Sequence, residues 1–166
     1  MKDLNALLEK SLAMCDSVGI PYGKITSISI NNRLSRCWGR CLTKDYNSYW
    51  IEIQGKFAKD EFSTDESVIA VIIHEIIHTC DGCWNHGEKF LSYGRRITEK
   101  YGIKVSATDS AENLTINVIE WKNSKRYAVT CAKCGHVSYR DRMCDLIRYP
   151  MMYTHKDCGG RFERTK

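Results

Sequence analysis

Ser63-Thr64-Asp65-Glu66-Ser67-Val68-Ile69-Ala70-Val71-Ile72-Ile73-His74-Glu75-Ile76-Ile77-His78 is the stretch on which the reading of this chain turns. Residues 63–66 carry hydroxyl and carboxylate groups suited to a helix start. Glu66 stands three residues after Ser63, as a capping box requires, so a helix is expected from about 65. Val68 to Ile77 is apolar nearly all round, which marks a helix buried in a core rather than lying on a surface. Set into that run are His74, Glu75 and His78. Positions four apart lie about 40° apart around a helix and roughly 6 Å apart along it, so the two imidazoles share a face and can hold one metal ion. Glu75 points to the flank of that face, where a carboxylate can receive a proton without being a ligand. An apolar helix has no packing reason to bury two histidines and a glutamate, and burying them unpaired is costly.

Catalytic zinc takes three protein ligands as a rule and leaves its fourth position to water. The expected third ligand is His86, because Cys80-Asp81-Gly82-Cys83-Trp84-Asn85 contains the Asp-Gly and Asn signals that end a helix and turn the chain back. Asp81, Glu88 and Glu99 are rival carboxylate ligands. The chemistry expected of the set is hydrolysis by metal-activated water, with Glu75 as proton acceptor.

A second constellation lies near the end of the sequence. Cys131-Ala132-Lys133-Cys134-Gly135 and His155-Lys156-Asp157-Cys158-Gly159-Gly160 are two knuckles separated by twenty residues. Each offers two ligands with glycine following, so four donors can close a tetrahedral structural zinc site at Cys131, Cys134, His155 and Cys158. His136 and Cys144 are spare donors nearby. The remaining Cys15, Cys37, Cys41, Cys80 and Cys83 read as buried free thiols, with a further metal site or a disulfide between the 37/41 and 80/83 pairs as the other option.

Around these motifs the chain reads as α+β. Leu4, Leu7, Leu8, Ser11, Leu12 and Cys15 recur at helical spacing before Gly19-Ile20-Pro21. Strands are expected at Ile25–Ile30, Arg33–Trp38 and Tyr49–Gln54, forming a small antiparallel sheet with a polar turn around 44–48. Phe90, Leu91, Tyr93, Gly94, Ile97 and Tyr101 give another core-facing helix ending at Gly102. Residues 106–110 read as a polar loop, and 114–121 fit either a strand or a helix. The expected organisation is a metal-binding domain over 1–122 and a zinc ribbon over 123–166.

Charge divides unevenly between these parts. Residues 1–121 hold 14 Lys and Arg against 16 Asp and Glu, whereas 122–166 hold 11 against 4, a net +7. Aromatic residues interleave with the basic ones, and Tyr139, Arg140, Arg142, Arg148 and Tyr149 are the candidate contacts to phosphates and unpaired bases of single-stranded or frayed DNA. Nine cysteines, no apolar stretch after Met1-Lys2-Asp3 and no run long enough to span a bilayer point to a reducing cytoplasm and away from membranes.

His74-Glu75-Ile76-Ile77-His78 followed by His86-Gly87-Glu88-Lys89-Phe90 resembles the SprT-like zinc metallopeptidase domain, the group that includes the Spartan proteases acting on DNA-protein crosslinks. Asn32-Arg33-Leu34, Trp38-Gly39-Arg40-Cys41 and Tyr49-Trp50-Ile51-Glu52-Ile53 are similar to the opening segment of that family, and a ribbon follows, so the likeness covers nearly the whole chain. It departs from the metzincin pattern, with Asp81 where that pattern needs glycine and Trp84 where it needs histidine. The resemblance implies a zincin-like fold, one catalytic and one structural zinc, peptide hydrolysis, and DNA-bound or DNA-crosslinked proteins as targets in DNA repair. An extended substrate is expected to pair with a sheet edge near Tyr49–Ile53. The residues also admit another class, a non-catalytic zinc-containing nucleic-acid binding module whose helix zinc is closed by Cys80, Cys83 or another fourth ligand.

Overall fold

The computed structural model describes residues 1–107, 122 and 125–166, which fall into two compact units, Met1–Asn117 and Val118–Lys166. The expected loop at 106–110 from residue 108 on, the undecided segment 114–121, and residue 123 at the expected boundary lie outside the described residues.

The first unit runs α1 (Leu4–Ser17), β1 (Lys24–Asn31), β2 (Gly39–Thr43), β3 (Ser48–Gln54), α2 (Asp65–Ile77) and α3 (Glu88–Tyr101). Helix α2 is its centre. It packs against α1, α3, β2 and β3, and every residue from Ser67 to Ile77 is buried. β-Branched residues cost a helix up to about 0.7 kcal/mol each in intrinsic propensity. Full burial of an isoleucine or valine side chain contributes about 1.5–3 kcal/mol, so packing wins and the run stays helical. The start near 65 is as expected, but the cap is Thr64, whose hydroxyl accepts from the Ser67 amide. Ser63 turns inward instead and donates to the Phe57 carbonyl.

The sheet order is β1-β3-β2. It is mixed rather than antiparallel as expected: β2 and β3 form an antiparallel hairpin, while β1 pairs with β3 in parallel. The reason lies after β1. The Asn31 side chain accepts from the Arg33 amide and its carbonyl from the Leu34 amide, which turns the chain off the sheet. Residues 33–38 form no strand. Trp38 stacks on Phe57 with centroids 5.0 Å apart, and pairing begins only at Gly39. Because β3 then inserts beside β1, it is the central strand. The edge expected at Tyr49–Ile53 is therefore absent, and among the described residues β2 is the edge strand on that side.

Turns at both ends of the hairpin have particular demands. At Gly39 a Cβ would lie 2.6 Å from Val71 Cγ1 and 3.1 Å from Glu75 Cγ and Oε1, so only glycine lets β2 close on α2. At Tyr46 the backbone is left-handed, φ 59°, which costs a bulky residue about 1 kcal/mol. The turn holds it there: the Tyr46 amide donates to Thr43 Oγ1 at 2.9 Å, and Tyr49 Oη donates to the Tyr46 carbonyl at 3.0 Å.

Helix α3 buries Phe90, Tyr93, Gly94 and Ile97 and stops at Gly102, which is left-handed at φ 72° and donates to the Thr98 carbonyl. The second unit contains β4 (Tyr127–Cys131), β5 (Val137–Arg140), the single-turn α4 (Asp145–Arg148), a 3-10 turn at Pro150–Met152 and β6 (Phe162–Arg164). Its sheet is antiparallel in the order β5-β4-β6. Val129, Cys131, Ile147 and Phe162 form its core. Among the described residues no helix is long and apolar enough to cross a membrane.

Gly39→Ala is expected to lower the stability of the first unit by about 1–3 kcal/mol, because the branched Val71 cannot swing aside as a flexible side-chain end would. Chemical denaturation of wild type and variant measures this, and equal midpoints would contradict the close approach.

Candidate metal centre

His74 and Glu75 lie in the last turns of α2, and His78 caps it with helical backbone, its amide donating to the His74 carbonyl. The chain then turns through Cys80–Cys83 and brings His86 back just before α3. The three Nε2 atoms form a triangle with every side 3.1 Å. Tetrahedral ligands at the usual zinc–imidazole length of roughly 2.0–2.1 Å stand about 3.3 Å apart, so the triangle is nearly the face such an ion needs.

Hydrogen bonding at the other ring nitrogens decides what those Nε2 atoms can do. His74 Nδ1 lies 2.9 Å from the Ser106 carbonyl, and His78 Nδ1 lies 2.7 Å from the Cys83 carbonyl. A carbonyl only accepts, so both Nδ1 atoms carry hydrogen, and a ring in its neutral form then turns the Nε2 lone pair inward. Lone pairs converging at this distance repel one another unless a cation lies among them. Burial pushes the His74 imidazole down to about 4, opposed by the Ser106 carbonyl and assisted by His86; the ring is thus neutral and ready to ligate at ordinary pH. Phe90, fully buried, backs all three imidazoles with centroids 4.8–4.9 Å away.

Glu75 is buried and lines, with the three histidines, a cavity of about 340 Å³ whose walls among the described residues also include Cys37, Gly39, Arg40, Cys41, Trp84 and Ala107. The rival ligands do not join the histidine group among the described residues. Glu88 is paired with Arg95 on the surface. Of the five cysteines outside the ribbon, Cys15, Cys80 and Cys83 are buried and Cys37 and Cys41 are half-buried, and none of them forms a disulfide. Burial pushes the Cys41 thiol up to about 12, with Glu75 adding to the effect. Burial likewise lifts Cys80 to about 12. These groups remain thiols, and no sulfur belongs to the three-imidazole set among the described residues. The carbonyls of Ser106 and Cys83, which orient two rings, left no trace in the sequence, because every residue carries one. Gly39 and Trp84 sit within recognised motifs, but nothing in those motifs assigned them to the cavity wall.

In the second unit, Cys131, Cys134, His155 and Cys158 come together as a four-donor group. Cys131 Sγ lies 3.5 Å from Cys158 Sγ, and His155 Nδ1 lies 3.2 Å from Cys134 Sγ and 3.3 Å from Cys158 Sγ. Three sulfurs and one nitrogen at such spacing match a closed tetrahedral zinc set. Gly135 and Gly159 turn the knuckles with φ 74° and 68°, and a Cβ on Gly160 would meet Cys131 Sγ at 2.5 Å. The spare donors stay outside: His136 stacks on His155 with centroids 4.5 Å apart, and Cys144 packs on the small core. Arg140, Arg142, Arg148 and Tyr149 are exposed, and Tyr139 is half-buried.

Metal analysis of the purified chain is expected to give two zinc equivalents, reduced to one by His86→Ala and to one by Cys134→Ser. Structural zinc contributes on the order of 10 kcal/mol to small ribbons, so Cys134→Ser should also abolish the folded signals of residues 125–166 in an NMR spectrum while leaving those of the first unit in place. Retention of both equivalents in either variant would remove that residue from its group.

No curated protein matches the chain. Residues 19–112, more than half of the 166, match the SprT-like family and span α2, both turns of the histidine group and the whole of the sheet. On that match, the chain belongs to the SprT-like family.

Proposed function

We propose that the chain is a zinc-dependent endopeptidase of zincin-like build, with a metallopeptidase domain over 1–122 and a zinc ribbon over 123–166. The observation that carries this reading is the inward-facing triangle of His74, His78 and His86 with a buried carboxylate, Glu75, on the wall of the same cavity. A zinc ion bound there supplies Lewis acidity toward a water molecule and toward a peptide carbonyl.

The chain's own groups do the rest. Glu75 receives a proton at a carboxylate oxygen and returns it to the departing amine, while its burial keeps bulk water from competing for that proton. Ser106 and Cys83 keep the ligand lone pairs aimed inward through the opposite ring nitrogens. β2, an edge strand among the described residues, lies beside the cavity through Gly39, Arg40 and Cys41, so an extended peptide adding to this edge would carry its backbone past Glu75. Cys131, Cys134, His155 and Cys158 hold the ribbon's structural ion.

The family resemblance supports DNA-bound or DNA-crosslinked proteins as substrates. The +7 charge of residues 122–166 supports a nucleic-acid contact through Arg140, Arg142 and Arg148, with Tyr139 and Tyr149 as stacking groups. A reducing cytoplasm suits nine cysteines with no disulfide among them.

The decisive variant is Glu75→Gln. It should keep both zinc equivalents and slow cleavage of a DNA-binding protein, assayed with and without single-stranded DNA, by about 10²–10⁴-fold. Undiminished turnover would falsify the role given to Glu75. A wild-type protein silent under both conditions, yet binding single strands with salt-sensitive affinity, would favour the non-catalytic binding module instead.

A further inference from the structure

Beside the three histidines stands an aromatic surface that the proposed hydrolysis does not use. Trp84 lines the cavity and is nevertheless 53 % exposed, and Tyr46 is 72 % exposed. Their rings meet edge to face at 5.8 Å, and the buried Tyr49 lies behind with its centroid 6.4 Å from that of Trp84. The two exposed rings come from different segments, the β2–β3 turn and the loop between His78 and His86. Tyr46 occupies a left-handed backbone position where glycine would be free of strain. The turn secures it with Thr43 Oγ1, the Tyr49 hydroxyl and the Asp45 carboxylate, which accepts from the amides of Asn47 and Ser48. A strained backbone that displays a large ring to solvent is an arrangement suited to a ligand rather than to the core.

Resting on the peptidase reading of the same cavity, we propose that Tyr46 and Trp84 form a subsite for a large apolar side chain of an extended peptide lying along β2. β2 runs from Gly39, against Glu75, to Thr43, next to the turn that carries Tyr46. A strand added to its edge therefore passes both the histidine group and the rings within a few residues. Three of the neighbouring charged groups already have partners. Arg40 pairs with Glu52 at 2.8 Å, Lys89 Nζ donates to the Asp81 carbonyl at 2.6 Å, and Asp45 is occupied within the turn. The exposed Tyr46 and Trp84 rings offer the apolar surface beside them. A stacked nucleobase is disfavoured because its phosphates would approach Asp45 and Asp81. Burial raises the Tyr49 hydroxyl above its ordinary value, and the Asp81 and Asp45 carboxylates push it the same way.

The test uses the full zinc-loaded chain carrying Glu75→Gln, so that binding is read without cleavage. Calorimetry compares blocked octapeptides that differ only in a central Phe, Leu, Lys, Glu or Ala. The Phe and Leu peptides are expected to bind roughly five- to tenfold more tightly than the Ala peptide. Trp84→Ala and Tyr46→Gly should each erase that preference, and Tyr46→Phe should keep it. Tyr46→Gly also separates recognition from folding, since glycine suits the left-handed position and the melting temperature should not fall. Equal affinities, no binding, a tightest fit for Lys, or competition by an oligothymidylate would overturn the subsite. Cleavage by the wild type without apolar preference would refute the subsite and leave the hydrolase standing. Apolar-selective binding by a wild type that never cleaves would do the reverse.

Discussion

Three imidazole nitrogens, each 3.1 Å from the other two and facing inward, are a costly arrangement without a cation, and the rest of the first unit serves to hold them there. Two protons fixed on the far side of the rings by the Ser106 and Cys83 carbonyls prevent the simplest relief, which would be for a ring to flip and turn an N–H inward. Phe90 blocks retreat from behind. The site therefore depends on three stretches at once: the end of α2, the loop that returns at His86, and the segment following α3. Rigidity at the ligands comes from the dry helix beneath, whose isoleucines and valines have no alternative burial.

How much of this could be read from the residues alone depends on where the information is stored. Histidine, cysteine and glutamate at fixed spacing state their chemistry by type, so His74, His78, His86 and the ribbon quartet could be named before any coordinates. Helix ends were similarly legible, because Asp-Gly, Gly102 and the hydroxyl-rich 63–66 segment have local conformational preferences. Even there, two adjacent hydroxyls left the choice between Ser63 and Thr64 to tertiary contacts, and the Phe57 carbonyl captured Ser63. Strand pairing was harder. Nothing local in Tyr49–Gln54 says that it will lie between two strands, one of them parallel, and Arg33–Trp38 looked extended while its tryptophan was destined for Phe57 and Phe62. Gly39 gave no hint that its missing side chain makes room for Glu75.

The two units obtain order by different means. The first owns a core of buried helices against a sheet, large enough that ligands can be dedicated to chemistry rather than cohesion. The second has only a small core around Val129, Cys131, Ile147 and Phe162 among the described residues, and its knuckles meet at four metal-ligating donors. Its surplus of basic side chains would oppose compaction, and a zinc ion held by three thiolates and one imidazole would add about one balancing negative unit as well as a clasp.

Helix α2 has a polarity that suits this assignment of tasks. Its first turn bears Asp65 and Glu66, acids that complement the positive pole of aligned peptide dipoles, and Lys2 reaches Asp65 at 2.6 Å. The opposite pole, equivalent to about half a negative charge, lies at the turn carrying His74 and His78. A dication gathered there is attracted by the backbone itself before any side chain is counted, whereas an anion entering the same cavity meets that pole as a barrier. Reversing the direction of this one helix would leave the pentapeptide spelling intact and turn its electrostatics against the ion.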